Sequence, residues 1–71
     1  MTDLTLLHNG ELMVTQVQAE TVEGVDFVDA YIGPEDMTVV DSGRILVPQR
    51  EVPALLQAAK RTGLSWEEET Q

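Results

Sequence analysis

Residues 41–64 read Asp41-Ser42-Gly43-Arg44-Ile45-Leu46-Val47-Pro48-Gln49-Arg50-Glu51-Val52-Pro53-Ala54-Leu55-Leu56-Gln57-Ala58-Ala59-Lys60-Arg61-Thr62-Gly63-Leu64, and they hold all four basic residues of the chain. The stretch reads as a hairpin running into a helix. Asp41-Ser42-Gly43 is a turn signal between the apolar runs Met37 to Val40 and Ile45 to Val47. With Ser42 and Gly43 as the two turn residues, Asp41 lies opposite Arg44 and Val40 opposite Ile45. Pro48 ends the second strand because it has no N–H for the ladder. Pro53 fits only the first turn of a following helix, where an N–H would have no intrahelical partner anyway. The helix is therefore expected to start near Gln49 to Glu51. Val52, Leu55, Leu56 and Ala59 share one helical face and Gln57, Lys60 and Arg61 lie off it, so one side is to be buried. Lys60 and Arg61 suit the negative end of the helix dipole. Gly63 reads as the left-handed stop, with Leu64 folding back on the last turn and Trp66 continuing that contact.

Working outward toward the N-terminus, Leu4 to Leu7 meets Asn9-Gly10, a strong signal for a two-residue type I′ hairpin. That turn sets His8 opposite Glu11, Leu7 opposite Leu12 and Leu6 opposite Met13. The second strand runs through Val14 to Glu20 with an alternating pattern. Glu23-Gly24 offers a second tight turn whose register keeps both faces chemically consistent. Ala19, Val17 and Thr15 meet Val28, Ala30 and Ile32 on a core face. Glu20, Gln18 and Gln16 meet Phe27, Asp29 and Tyr31 on the other. One short helix does not cover both faces, so Leu7, Leu12, Val14, Phe27 and Tyr31 need cover from a second copy, a partner or the remaining hairpin. Gly33-Pro34 and Glu35-Asp36 read as a polar loop, and the apolar strands after it belong inside the sheet or in an interface.

The expected fold is α+β: an antiparallel β-meander of four to five strands with one C-terminal α-helix packed on one face. Residues 1–66 form a single small domain and 67–71 an acidic polar tail. The order of four strands and a helix, with the turn from Ile45-Leu46-Val47-Pro48 into Glu51 and Leu55, resembles the end of certain single-stranded-DNA-binding transcriptional coactivator domains. Those domains bind through basic and aromatic residues on their strands. The strands here carry carboxylates instead, so the resemblance implies no shared binding mode.

At 71 residues the chain is near the lower size at which one core supports itself. It has no cysteine, which excludes disulfides, thiolate metal sites and thiol catalysis. No apolar run approaches the roughly 20 residues that span a bilayer, and Met1-Thr2-Asp3 lacks the basic start of a secretion signal. A cytoplasmic protein without membrane contact is expected. The net charge is −9, and it is unevenly spread. Asp3, Glu11, Glu20, Glu23, Asp26, Asp29, Glu35, Asp36 and Asp41 all precede the first Lys or Arg, which is Arg44. A field of one sign repels nucleic acid and attracts basic surfaces, although acidity also serves solubility alone.

Chemistry-bearing groups are few. His8, the single histidine, sits beside a turn and reads as solvated. Ser42 and Ser65 lie in a turn and after a helix end, without the held base a nucleophile needs. Asp26 with Asp29, Glu35 with Asp36, and Glu23 with Asp26 lack the dense oxygen spacing of a calcium loop. No catalytic, cofactor-binding or metal-binding residue is assigned, no cofactor is expected, and the chain is read as non-enzymatic.

The expected function is a small acidic protein-interaction module, of the kind found among phage-type or anti-defence inhibitors that mimic nucleic acid. Its partner is a larger protein with a basic, nucleic-acid-binding surface. The partner-binding residues on its acidic and aromatic sheet face are Gln16, Gln18, Glu20, Asp26, Phe27, Asp29 and Tyr31. Two alternatives stand beside it. One is a nucleic-acid-binding regulator using Arg44, Arg50, Lys60, Arg61 and the aromatics, including Trp66 as a stacking platform. The other is a homodimer or larger homo-oligomer joined through Leu7, Leu12, Val14, Phe27 and Tyr31.

Overall fold

The computed structural model describes residues 2–31 and 37–70. Strands β1 (Leu4–Asn9) and β2 (Val14–Ala19) form a hairpin followed by helix α1 (Val22–Ala30). A second hairpin, β3 (Thr38–Asp41) and β4 (Arg44–Pro48), leads through a 3-10 turn at Gln49–Glu51 into helix α2 (Val52–Thr62), and β5 (Trp66–Thr70) ends the chain. The five strands make one sheet in the order β3-β4-β2-β1-β5, with antiparallel neighbours except that β5 runs parallel to β1. The fold is thus α+β, but the sheet is mixed and carries two helices. That corrects the expected meander with a single C-terminal helix, and with it the strand-helix order on which the resemblance to the coactivator domains rested.

The stretch 41–64 folds as its residues dictate. Asp41 pairs with Arg44 across the Ser42-Gly43 turn, although a bulge between Val39 and Asp41 then sets Val39, not Val40, opposite Ile45. Pro48 closes β4, and Pro53 sits in the first turn of α2. Val52, Leu55 and Ala59 are buried on the predicted face. Gly63 stops the helix at φ 84°, in the left-handed region, its N–H meeting the carbonyl of Lys60 while Leu64 reaches that of Ala59.

The first hairpin keeps its predicted faces but not its turn. The Asn9 side chain accepts the Leu12 N–H at 3.1 Å, opening a loop over 10–13 that ends with Met13 at φ 58°. Leu6 therefore pairs with Val17 and Leu7 with Gln16, and Leu12 and Met13 stand exposed at the loop. The slip is an even number of residues, so the side chains remain on the expected sides of the sheet.

The larger correction is α1. The segment after Glu23-Gly24 is not a strand beside β2, whose second neighbour is β4. Thr21 caps a helix instead, accepting the Gly24 N–H at 3.1 Å, and Glu23 suits the positive end of its dipole. Gly24 and Val28 face inward at helical spacing. Gly24 touches the start of β1 so closely that a Cβ there would press on the Asp3 carbonyl oxygen and on Ala19, which is what lets α1 lie down on the sheet. The expected pairing of Thr15 with Ile32, and the Gly33 to Asp36 loop, fall outside the described residues.

Leu4, Leu6, Val17, Ile45 and Val47 from the strands and Val28, Val52, Leu55 and Ala59 from the helices make one buried cluster. Both helices therefore cover the same face of the sheet. Among the described residues no helix lies on the other face, which carries Leu7, Val14, Gln16, Gln18, Arg44 and Leu46. The expected polar tail is also corrected. Residues Trp66–Thr70 pair their backbone along Leu4 to His8, satisfying the outer edge of β1, while the side chains of Glu67, Glu68, Glu69 and Thr70 stay exposed.

Candidate interaction surface

Helix α1 decides where most of the predicted partner-binding residues lie. Asp26, Phe27, Asp29 and Tyr31 sit on or at the end of this helix and not on a strand, and Glu20 lies exposed just before it. Gln16 and Gln18 are on β2, on the opposite side of the sheet, with the Gln16 Nε2 donating to Gln18 Oε1 at 3.4 Å. The acidic and aromatic sheet face expected from the sequence does not exist as one surface. Its charged and aromatic members are gathered by a helix, and its glutamines face away.

On α1 the outward residues Glu23 and Asp26 are three apart and so adjoin on the helix surface. Phe27 and Tyr31, four apart, stack at a ring-centroid distance of 6.0 Å with planes tilted by 39°. Together with Ala30 of α1 and Thr62 of α2, these four line an open groove between the two helices. Phe27 and Tyr31 are half-buried against the core, so the groove has an aromatic floor and a carboxylate rim. Burial of the Tyr31 hydroxyl, with the negative Glu51 nearby, raises its pKa above the usual 10.0. Asp29 is differently employed: its Oδ1 accepts the Gly43 N–H at 2.8 Å and its Oδ2 the Ser42 hydroxyl at 3.0 Å, fastening the β3–β4 turn to α1.

The basic residues do not form a single face. Arg44 lies on the helix-free side of the sheet and Arg50 in the 3-10 turn. Only Lys60 and Arg61 gather, beside Trp66, along a second groove floored by Pro53 and Leu56. The exposed glutamates of β5 follow directly on Trp66.

His8 is not the solvated side chain that its position beside a turn suggested. Its Nε2 lies 2.9 Å from Glu68 Oε1 and its Nδ1 2.8 Å from Thr15 Oγ1. A carboxylate only accepts, so Nε2–H donates to Glu68, and Nδ1 shares a hydrogen bond with the Thr15 hydroxyl. A hydroxyl, an imidazole and a carboxylate in line resemble a nucleophile relay in chemistry, but Thr15 is 0% exposed and no substrate reaches its oxygen. The trio is a clamp joining β2, β1 and β5. The sequence signal for it, a lone histidine seven residues before a threonine, was too common to single out.

Among the described residues no group of three or more His, Asp or Glu is placed to hold a metal ion, and no helix is long and apolar enough to cross a membrane. No protein-family model matches this chain, no curated protein matches its sequence, and no solved structure matches it significantly.

Proposed function

We propose that this chain is a small, acidic, non-catalytic interaction module that docks the α1 surface onto a basic, nucleic-acid-binding surface of a larger protein. The observation that carries the reading is the juxtaposition of exposed Glu23 and Asp26 with the Phe27–Tyr31 aromatic floor in one open groove. The carboxylates steer and orient a cationic partner, and the rings supply the apolar contact that holds it. The charge distribution supports this, because no Lys or Arg precedes Arg44. Glu20 adds its charge just before α1, and Asp29 adds its own from α1 beside the β3–β4 turn. An inhibitor that occupies a nucleic-acid site has the same requirements, which is the most specific form of the proposal. It acts in the cytoplasm, where such partners reside.

The test is affinity capture from the native host with the wild-type chain and with the Glu23→Lys/Asp26→Lys variant, each bead set being challenged with duplex DNA. The expected result is a nucleic-acid-binding protein that is retained by the wild type, displaced by DNA, and bound about tenfold or more weakly by the charge-reversed variant. Equal retention by a correctly folded variant would remove α1 from the interface.

A further inference from the structure

We propose that the groove between α1 and α2 is an arginine-binding site, in which one guanidinium of the partner lies flat against Phe27 and Tyr31 and gives its N–H groups to Asp26 and Glu23. This rests on the reading that α1 is the docking surface, and it names the side chain taken there. The groove has a volume of about 620 Å³, within the roughly 300–1,000 Å³ of ligand clefts, and it is open to solvent. Its floor is two half-buried rings whose centroids are 6.0 Å apart. Ala30, one turn beyond Asp26, lines the same groove with only a methyl group, which leaves space beside the rings.

An aromatic floor alone suits any apolar group, and the rim decides between them. Glu23 and Asp26 are exposed, and among the described residues neither carboxylate has a hydrogen-bond or ion-pair partner. Other carboxylates are used within the fold: Asp3 and Asp29 accept backbone N–H groups, and Glu68 meets His8. The chain's own Lys60 and Arg61 line the other groove, so the charge at this rim is left for a cation from outside. A ring face carries the negative side of its quadrupole, so floor and rim attract the same positive charge. Among protein cations the guanidinium matches both together. It is planar and weakly hydrated, so it stacks on a ring without giving up the tightly held water of an ammonium, and its five N–H donors point outward in the plane of the stack. Residues three apart on a helix hold their Cβ atoms about 5–6 Å from each other, close enough for the two edges of one guanidinium to meet both carboxylates. A lysine ammonium reaches the rim equally well but gains less from the floor. Nucleic-acid-binding surfaces are rich in arginine for a related reason, since the same fork pairs with phosphate as with carboxylate.

The experiment is an NMR titration of the whole chain with two capped peptides of equal length and charge, one alternating glycine with arginine and the other glycine with lysine. It is read at the ring protons of Phe27 and Tyr31 and at the Ala30 methyl. The arginine peptide is expected to shift these signals and to bind about tenfold more tightly than the lysine peptide. Asp26→Asn, an exposed change that leaves the core alone, weakens the arginine peptide about threefold or more. Phe27→Leu, checked for folding by circular dichroism, reduces the preference for arginine while keeping the attraction of the carboxylates. Equal binding of the two peptides at these rings overturns the arginine site and leaves α1 as a docking surface for cations. Shifts at these rings with neither peptide overturn both readings. A preference for arginine unchanged in both variants puts its site elsewhere on the chain and overturns the proposal.

Discussion

Asp3 uses both carboxylate oxygens to hold three parts of the chain together. Oδ1 accepts the Thr21 hydroxyl at 2.8 Å, and Oδ2 accepts the Ser65 N–H at 3.0 Å. Its own carbonyl accepts the Glu20 N–H at 2.8 Å. The start of β1, the cap of α1 and the link from α2 to β5 therefore meet at one side chain. The Ser65 N–H first, and then the Thr21 hydroxyl, favour the charged form and lower the Asp3 pKa below 3.8. A carboxyl whose pKa is lowered on folding stabilises the fold above its unfolded value, and that stabilisation is lost as pH falls through the lower folded value. Asp3→Asn is thus expected to be less stable than the wild type at neutral pH, and the gap to narrow as pH falls below 3.8. Urea titrations of both proteins across that range read it, and using the difference cancels the general relief of acidic repulsion. A gap that stays constant with pH would contradict the role given to the charge. In the sequence Asp3 was one carboxylate among thirteen; partners 18 and 62 residues away leave no local trace.

At the scale of elements, the clamp of β2, β1 and β5 has a clean prediction. His8→Ala removes the partner of a fully buried hydroxyl and is expected to cost about 1–3 kcal/mol, the penalty of an unsatisfied buried polar group. Thr15→Val removes that hydroxyl, so His8→Ala added to it costs markedly less. Thermal melts of the two single variants and the double variant measure the difference, and simple additivity would show that the hydrogen bond is not what holds His8. What was legible at this scale follows from local physics. The second hairpin and α2 were legible from 41–64, where turn residues, two prolines, a helical apolar stripe and a stop glycine agree. The period-two pattern of β1 and β2 placed Leu4, Leu6 and Val17 in the core although the turn was wider than read. α1 was not legible, because Val25, Phe27 and Tyr31 fit a strand period as well as Phe27, Val28 and Tyr31 fit a helical one. Thr21 as cap is the deciding signal, and the role of Gly24 is close approach to the Asp3 carbonyl and not a turn. β5 was hidden because three adjacent glutamates have little strand propensity; the open edge of β1 creates that strand.

For the whole molecule, the sheet divides two kinds of surface. The helical side carries the acidic and aromatic groove, and the helix-free side carries Leu7 and Leu46 among polar residues. The candidate site was therefore half legible: Asp26, Phe27, Asp29, Tyr31 and Glu20 do gather with α1, and Gln16 and Gln18 belong to the other side. Recognition of a partner by α1, through charge over an aromatic floor as proposed, is tested most directly by the salt dependence of the binding. With the captured basic protein, the affinity of the wild type is expected to fall steeply as ionic strength rises, and that of the Glu23→Lys/Asp26→Lys variant to start lower and fall less. Parallel salt dependences for the two proteins would contradict recognition by charge at α1.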